Sequence, residues 1–414
     1  MLKGQILAEG LNVTINTTED CNMRCKYCYE INKTKRSIEF DKCKKFIDLL
    51  VSDENYLGAE KEGETASEIW KRGLIIDFIG GDSLMNVDIC DKTLTYLVFK
   101  LNTTNTERAK AWRNSWRCSI SSNGTLLGDP KVRAFLEKWQ ENICLGVSID
   151  GCPEIHDKNR IMAYRGKNGE EVGSMDIIMQ NWGWFKEHFP YSSIQTKATC
   201  ARDTIPYLYE SLVFMHEALG LKYINQNFIM EDTGCTEEDY KILREQMQKC
   251  IEYVFAHRHE MYWSMIDKNF LCDGKGAYEN DGDYETKGRC GSGCMPTLAI
   301  DGRIYPCFRW LPHTQQEAGV MSVGDVEHGF NHSENFKKVR DGSIRSKCTR
   351  DPKCIGCEYE PACPYCIGGC YAEYGDFVRT THICEICKIQ VEYARKYWAM
   401  IKEAKGDTEY EREC

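Results

Sequence analysis

The sequence DCNMRCKYCYE, residues 20–30, places Cys21, Cys25 and Cys28 in one short segment. A closed tetrahedral zinc site takes four ligands, and an odd number of thiols cannot all pair as disulfides. A Cys-x3-Cys-x2-Cys segment can instead bind three irons of a four-iron cluster and leave the fourth iron open to an exogenous ligand. The spacing therefore predicts a reactive iron–sulfur centre held by these three thiols.

The segment directly follows a predicted strand, because Leu11, Val13 and Ile15 alternate with polar residues. Strands and helices alternate after it, which predicts a parallel sheet. Six such units are too few for a closed eight-stranded barrel, so we expect an α/β fold with a partial (β/α)6 barrel and a site at the C-terminal ends of its strands. The further predicted strands are 74–80, 118–124, 145–151, 194–200 and 223–230, and the predicted helices lie near 39–53, 86–102, 129–141, 175–188, 205–219 and 237–258, with an irregular insertion at 54–71.

Composition narrows the class of protein. The net charge of −10 argues against a nucleic-acid partner, which would need clustered Lys and Arg. No run of 18 apolar residues occurs and the first residues lack the apolar core of a signal peptide, so we expect a cytoplasmic protein without a membrane partner. In a reducing compartment, the 24 cysteines are better explained by metal ligation than by disulfides. The isolated cysteines fit small buried side chains.

The region after about residue 270 differs in composition from the predicted barrel. Cys, Gly, Tyr and Asp are frequent there and regular periodicity fades until a final helix near 385–404. This composition indicates a second domain that is held by metal rather than by a large core. We therefore expect a barrel domain over 1–265, a cysteine-rich domain over 266–404 and a polar tail over 405–414.

The thiol segment after the first strand of an α/β barrel resembles the radical SAM superfamily. In that family, the open iron of a [4Fe-4S] cluster binds the amino and carboxylate groups of S-adenosylmethionine, and one-electron cleavage yields a 5'-deoxyadenosyl radical that abstracts hydrogen from the substrate. The resemblance implies a cluster on Cys21, Cys25 and Cys28, with S-adenosylmethionine as cofactor.

Two strand-end segments extend the resemblance. IGGDSL resembles the family's GGEP segment, so Gly80, Gly81 and Asp82 would contact the cofactor, although Asp-Ser replaces Glu-Pro. SSNGTLL resembles the family's TNGTLL, and Ser122 and Asn123 would face the cofactor. Taken singly, Gly-Gly and Asn-Gly are ordinary turn sequences, and the functional interpretation depends on their order along successive strands.

A third segment, VSIDGCPEIHDKNR, resembles the family's SIDGPxxxHDxxR. Ser148 and Asp150 would then meet the ribose, and Arg160 would bind the cofactor carboxylate through its planar fork of N–H donors. Tyr27 would lie by the adenine. Alone, such an arginine is usually a surface charge, and only the whole set indicates a cofactor site.

The cysteine-rich region resembles the SPASM domain, which carries two auxiliary [4Fe-4S] clusters and would bring the total to three. By position, the first auxiliary cluster would use Cys290, Cys307 and Cys370, with Cys294 as fourth ligand or with an open site. The second cluster would use Cys354, Cys357, Cys363 and Cys384, with Cys387 spare. An extra cysteine, Cys366, could replace Cys363 in this second cluster. A zinc ribbon remains the alternative for the region.

Enzymes with this domain modify peptides and proteins. Sulfatase maturases carry a proton-accepting Asp after the YPC cysteine, where this chain has Phe308, and a phenyl ring cannot take a proton. The extra cysteines resemble thioether-forming ranthipeptide maturases of the PapB type, which implies an enzyme that crosslinks a Cys-rich, ribosomally made precursor peptide. Carbon–carbon crosslinking, formylglycine formation, epimerisation, maturation of a quinohaem-type cofactor and a non-catalytic electron carrier are the alternatives.

The partners follow from the same resemblance. A flavodoxin- or ferredoxin-type protein would supply electrons. Only 20 residues precede Cys21, so the chain either lacks a peptide-recognition domain or uses a separate peptide-recognition protein. The sequence assigns no catalytic proton acceptor, since Tyr, His and Cys side chains could each serve.

Overall fold

The computed structural model describes residues 10–52, 70–190, 196–271, 290, 292, 295–315, 321–343, 348–364 and 366–405. Most of the predicted insertion at 54–71, nearly all of the polar tail and Cys294 lie outside the described residues. The strands are β1 (Leu11–Thr18), β2 (Leu74–Gly80), β3 (Trp116–Ser122), β4 (Ile143–Val147), β5 (Ile161–Arg165), β6 (Glu171–Gly173), β7 (Lys197–Cys200), β8 (Tyr223–Phe228), β9 (Tyr262–Trp263), β10 (Thr297–Leu298), β11 (Arg303–Tyr305), β12 (Gly324–Asp325), β13 (Thr349–Arg350) and β14 (Val378–Arg379).

The helices alternate with these strands in the first part of the chain and stand apart from them in the last. They are α1 (Phe40–Ser52), α2 (Val87–Thr103), α3 (Glu107–Trp112), α4 (Pro130–Lys138), α5 (Pro153–Asn159), α6 (Met175–His188), α7 (Leu208–Val213), α8 (Glu237–Ala256), α9 (Ser333–Ser343), α10 (Ile367–Tyr374) and α11 (Cys384–Lys405). None of the helices in the described part of the chain is long and apolar enough to cross a membrane.

The parallel strands form the predicted partial barrel. β1, β2, β3 and β4 pair in that order, and a parallel bridge between Val147 and Thr196 joins β4 to the sheet of β7 and β8. Among the described residues β8 and β1 do not pair, so the barrel is open. The α/β architecture predicted from the alternating pattern is therefore confirmed.

Alternation along the strands divides the barrel into an outer and an inner face. Val13 and Ile15 of β1 and Phe78 of β2 are fully buried in the core beneath the helices. The opposite faces carry polar residues such as Asn16 and Asp77, which line the barrel interior. Because the apolar residues hold the strands in register, their C-terminal ends meet at one edge.

The cysteine-rich region is joined to the barrel sheet. β10 pairs in parallel with β1, and the antiparallel strands β11 and β12 continue the sheet outward. The final helix α11 packs on α8, where Arg244 lies 2.6 Å from Glu385. The division of the chain at residues 265 and 266 therefore stays a proposal, because the two regions share one sheet.

Two local features depart from the predicted elements. The predicted helix near 205–219 is a 3₁₀ segment (Arg202–Tyr207), then α7, then a π segment (Phe214–Ala218). Pro206 explains the irregular start, because proline lacks the N–H that an α-helix needs in its interior. The hairpin of β5 and β6 was not predicted, and it pairs with the thiol segment described below.

Candidate functional site

The three thiols of the opening segment lie on the loop that follows β1. Cys21 is buried, whereas Cys25 and Cys28 are half-buried. The loop pairs with β5, because the Arg24 N–H donates to the Ile161 carbonyl at 2.7 Å. Within the loop, the Met23 N–H donates to the Cys21 Sγ at 3.4 Å. The backbone thereby fixes where the thiols point.

The electrostatic surroundings of the loop bear on its thiols. Burial raises the pKa of Cys21 to about 11, against the opposing effect of Lys33, and burial also raises the pKa of Cys25, which Arg160 opposes. Burial lowers the pKa of Lys33, but Cys21 and Cys28 raise it by more. Thiolates bound to a metal centre would therefore find cationic partners, Lys33 and Arg160, already in place.

The space around the first thiol is closed by a glycine. A Cβ on Gly81 would lie 2.1 Å from the Asp20 carbonyl oxygen and 2.8 Å from the Cys21 Cβ, so only glycine fits. No three His, Cys, Asp or Glu side chains of the described residues are arranged to hold a single metal ion. In an iron–sulfur cluster each cysteine binds its own iron, so the three thiols, their fixed loop and the two cations fit that kind of group.

Asp82 ties the ends of β2 and β3 together. Its carboxylate accepts hydrogen bonds from the Ser122 hydroxyl at 2.9 Å, the Asn123 N–H at 2.8 Å and the Leu84 N–H at 3.0 Å. Burial raises the pKa of Asp82, and these hydrogen bonds oppose that effect. The predicted cofactor contacts Asp82 and Ser122 are thus bound to each other, and their role toward a cofactor stays a prediction.

Asn123 connects this pair to the thiol loop. Its side-chain NH₂ donates to the Asn22 side-chain oxygen at 2.8 Å and lies 3.9 Å from the Cys21 Sγ. Its own side-chain oxygen accepts from the Thr125 hydroxyl at 2.6 Å. Asn123 therefore supports the position of the first thiol.

Asp150 and Arg160 form a buried ion pair beside the loop. The Asp150 carboxylate accepts from the Arg160 Nε at 2.9 Å, from the Arg160 Nη2 at 3.0 Å and from the Thr199 N–H at 2.8 Å. It also accepts a hydrogen bond from the Tyr27 hydroxyl, and the Arg160 guanidinium lies 5.4 Å from the centre of the Tyr27 ring. The structure thus brings three of the predicted cofactor residues into one contact group.

His156 supports this ion pair through hydrogen bonds. Its Nδ1 accepts from the Asp150 N–H at 3.3 Å, and its Nε2 lies 2.8 Å from the Ser174 hydroxyl. Burial lowers the pKa of His156 to about 3, so the imidazole is neutral.

The two remaining predicted residues also lie at strand ends. The Ser148 N–H donates to the Ser122 carbonyl at 2.8 Å. Gly80 is the last residue of β2.

An open cavity of about 840 Å³ lies beside the thiol loop. Its walls come from the thiol loop, from the segments that follow β7 and β8, and from the cysteine-rich region. Its volume is within the usual range of ligand sites. The residues that mark these walls are Tyr27, Cys28, Ala201, Ile229, Arg309 and Gly369.

Arg309 reaches from the cysteine-rich region towards the loop. Its guanidinium binds Glu231 and lies 4.6 Å from the centre of the Tyr29 ring. Phe308, at the position where sulfatase maturases carry an acid, packs on Tyr29 with the ring centres 5.9 Å apart. A carboxylate does line the cavity close to this position, but it is Glu231 from the barrel side.

The predicted auxiliary ligands fall into two groups. The charges of Cys363 and Cys357 act on Cys354, and that of Cys363 acts on Cys384, so these four share one neighbourhood. Cys290, Cys307 and Cys370 share the other, together with Cys366. The charge of Cys366 acts on Cys307 and Cys370, whereas that of Cys363 acts on Cys354 and Cys384. Which of the two cysteines serves the second cluster stays a prediction.

A buried histidine in contact with the loop was missed by the sequence argument. His313 Nδ1 lies 3.7 Å from Glu19 and its Nε2 lies 3.5 Å from Glu30, and all three side chains are buried. Glu19 and Glu30 flank the thiol segment in the sequence, and this is the sequence feature that could have indicated a cationic or histidine partner. Nothing in the sequence around His313 indicates this contact, because it depends on how the two regions pack.

No model of a known protein family matches the chain. The chain is 24% identical over 364 residues to a cysteine-type anaerobic sulfatase-maturating enzyme of Clostridium novyi, with 84% of each chain covered. It is 27% identical over 215 residues to an uncharacterized protein of Methanocaldococcus jannaschii, which covers 52% of this chain and 61% of that protein.

Solved structures resemble the chain in overall fold. The structure of anSMEcpe with bound AdoMet superposes with a TM-score of 0.66 at 16% identity, covering 95% of this chain and 99% of that one. The Streptococcus suis protein SuiB, bound to its precursor peptide SuiA, gives a TM-score of 0.54 at 15% identity, covering 92% of this chain and 77% of that one. The chain therefore shares the overall fold of these two proteins.

Proposed function

We propose that the protein is a radical SAM peptide maturase that installs Cys-derived thioether crosslinks in a ribosomally made precursor peptide. The observation that carries the proposal is the position of the three thiols at the C-terminal ends of the barrel strands, beside a cavity that the cysteine-rich region helps to enclose. The likeness to maturases with bound AdoMet and with bound peptides supports it.

The chain's own residues would hold the cofactor as follows. Cys21, Cys25 and Cys28 would bind a [4Fe-4S] cluster, and Lys33 would offset its negative charge. When bound, the cluster and S-adenosylmethionine supply the 5'-deoxyadenosyl radical. The remaining predicted contacts are Tyr27, Gly80, Gly81, Asp82, Ser122, Asn123, Ser148, Asp150 and Arg160.

The cavity would hold the reacting segment of the peptide. Its lining mixes aromatic surface from Tyr29 with charge from Arg309, Glu231 and Glu373, which suits a peptide backbone with polar side chains. Because Arg309 is already paired with Glu231, its charge is held in a fixed place rather than left to a flexible side chain. The two residues position the peptide and exclude water from one wall.

Thioether formation is the finer part of the proposal. It replaces one C–H and one S–H bond by one C–S bond, so a hydrogen atom passes from carbon to the adenosyl radical, and a proton and one electron also leave. An iron–sulfur acceptor on the cysteine-rich region would take that electron, and a flavodoxin- or ferredoxin-type cytoplasmic donor would start each turnover. Phe308 in place of an acid supports this branch over sulfatase maturation.

Formylglycine formation is the second candidate. It is favoured by the identity of 24% to a cysteine-type sulfatase-maturating enzyme over 84% of the chain. In that reaction Glu231, which pairs with the neighbouring Arg309 and lines the cavity, would be a candidate to replace the acid that Phe308 displaces.

Mass spectrometry of a Cys-rich peptide would separate the candidates. The peptide is incubated without oxygen with iron-loaded protein, S-adenosylmethionine and reductant, and is then treated with a thiol alkylator. Loss of two hydrogens per crosslink with blocked thiols is the expected result. The same loss with free thiols contradicts thioether formation, and an aldehyde that reacts with a hydrazide probe identifies the sulfatase-type reaction.

A further inference from the structure

Helix α10 brings two thiols to the same side of one helical turn. Cys366 caps the helix, because its Sγ accepts a hydrogen bond from the Gly369 N–H at 3.4 Å. The Cys370 N–H donates to the Cys366 carbonyl at 2.9 Å. This capping hydrogen bond holds the Cys366 Sγ over the first helical turn, which contains Cys370, and the charge of Cys366 acts on Cys370.

The start of α10 is pressed against the segment that carries Cys307. A Cβ on Gly368 would lie 2.8 Å from the Arg309 Cβ, so only glycine permits this approach. The Gln315 side-chain NH₂ donates to the Gly368 carbonyl at 2.8 Å and holds the two segments together. The approach brings the Cys366 thiol close enough to Cys307 for its charge to act there.

Cys290 joins the same neighbourhood. Cys307 is buried in a small apolar cluster with Ile367, the residue after Cys366, and Cys290 packs against that cluster. The Ser292 hydroxyl lies 3.1 Å from the Cys307 Sγ, and the charges of Cys290 and Cys366 act on Cys307. The charge of Cys366 also acts on Cys370. Four thiols from three segments therefore share one neighbourhood.

Cys363 belongs elsewhere. Its backbone carbonyl accepts a hydrogen bond from Arg379 at 3.4 Å, and its charge acts on Cys354 and Cys384 in the second thiol group. Cys363 and Cys366 therefore belong to different thiol groups, although only two residues separate them in the sequence.

We propose that Cys366 is the fourth protein ligand of the first auxiliary iron–sulfur site, together with Cys290, Cys307 and Cys370. The inference rests on the proposed function only in that the chain binds iron–sulfur clusters. Cys294 is then not a ligand, and the first auxiliary site has no position for a thiolate from the substrate.

Differential alkylation of the unmodified protein tests the assignment without any variant. Iron-loaded protein and protein stripped of iron by a chelator are alkylated under native conditions, then unfolded and labelled with a second alkylator, and every cysteine is mapped by mass spectrometry. We expect Cys366 to be protected only when iron is bound, and Cys294 to be labelled at the same rate in both states. Equal labelling of Cys366 in both states overturns the proposal.

Iron analysis of variants gives a second, independent readout. In a background that lacks Cys21, Cys25 and Cys28, two auxiliary clusters correspond to about eight irons per chain. We expect Cys366→Ala to lower this by about one iron and to alter the Mössbauer spectrum, because an iron that loses its only protein thiolate is released readily. Cys294→Ala and the matched control Cys387→Ala should keep the full iron content.

The outcomes separate the two proposals. A Cys366→Ala variant with unchanged iron content and spectrum, or a Cys294→Ala variant that loses iron, overturns the assignment of Cys366 and leaves the proposed function standing. Protein that incorporates no iron or sulfide under reducing conditions contradicts the proposed function itself.

Discussion

The barrel and the cysteine-rich region hold their thiols in different ways. In the barrel, the loop with Cys21, Cys25 and Cys28 follows a strand of eight residues and lies above a continuous apolar core. In the cysteine-rich region, strands β10 to β14 have two or three residues each, and much of the chain between them is 3₁₀ or irregular. The barrel is therefore stabilised by apolar burial, whereas we expect the second region to depend more on the metal that its thiols are proposed to bind.

The polar groups show the same contrast. In the barrel, Asp82 and Asp150 each accept several hydrogen bonds from neighbouring strand ends, so the site is arranged before any cofactor binds. In the second region, Cys290, Cys307, Cys366 and Cys370 come from short strands, turns and one short helix, and we propose that a bound cluster organises them. If the fold organises the barrel site and a bound cluster organises the second region, the two regions should respond differently to loss of iron and to loss of a buried ion pair.

Removal of iron should have the largest effect, and it should be confined to the second region. Without metal, the irregular segments lose the bonds that order them. We expect hydrogen exchange over 348–364 and 366–384 to rise by about a hundredfold or more, which corresponds to roughly 3 kcal/mol of local stability. Hydrogen-exchange mass spectrometry should show β1 to β4 unchanged. Equal loss of protection in the barrel strands would contradict the proposed difference in how the two regions are stabilised.

Breaking the buried ion pair of the barrel comes next in size. Asp150→Asn leaves the Arg160 charge buried, where its side chain is 9% exposed. We expect the free energy of unfolding to fall by about 3–5 kcal/mol in a urea titration. The exposed pair of Lys138 and Asp91, at 2.6 Å, is the matched control, and Lys138→Ala should cost less than about 1 kcal/mol. Similar costs for both variants would contradict a preorganised site.

Gly81→Ala tests how tightly the first thiol is packed. The added methyl group would meet the Asp20 carbonyl and the Cys21 Cβ, so the loop must shift. We expect a loss of about 1–3 kcal/mol in unfolding free energy and weaker cluster binding, measured by iron content. Gly183→Ala in α6 is the control, because nothing lies within 4 Å of its added Cβ. There we expect a gain of roughly 0.5–1 kcal/mol, and an equal loss at both glycines would refute the packing argument.

The smallest effect concerns the pH dependence of stability. The pKa of His156 is about 3 in the folded protein and 6.5 in its unperturbed state. Below pH 6.5 the unfolded chain therefore binds a proton that the folded chain does not, and the unfolding free energy falls as the pH drops, by up to about 1.4 kcal/mol per pH unit. His156→Asn should remove this part of the slope between pH 6 and pH 4 in urea titrations, whereas the exposed His259→Asn should not. A slope unaffected by His156→Asn contradicts a neutral, buried imidazole.

Much of the barrel could be predicted from the sequence, because its signals are local. The strand at 74–80 and the helix at 175–188 have the predicted bounds, since apolar periodicity and caps mark them. The hairpin of β5 and β6 and the contact of His313 with Glu19 could not be predicted, because they arise when distant segments pack. Spacing alone left Cys363 and Cys366 unresolved, because the group that each thiol joins depends on how distant segments pack around it.

The central claim is that the thiol loop of the barrel supports cleavage of S-adenosylmethionine. The most direct measurement is 5'-deoxyadenosine formation by protein loaded with iron and sulfide without oxygen, given S-adenosylmethionine and a strong reductant. We predict product from the unmodified protein and from Cys43→Ala, whose buried thiol belongs to no thiol group described above, and none from Cys25→Ala. No product from iron-loaded protein, or undiminished product from Cys25→Ala, would contradict the account.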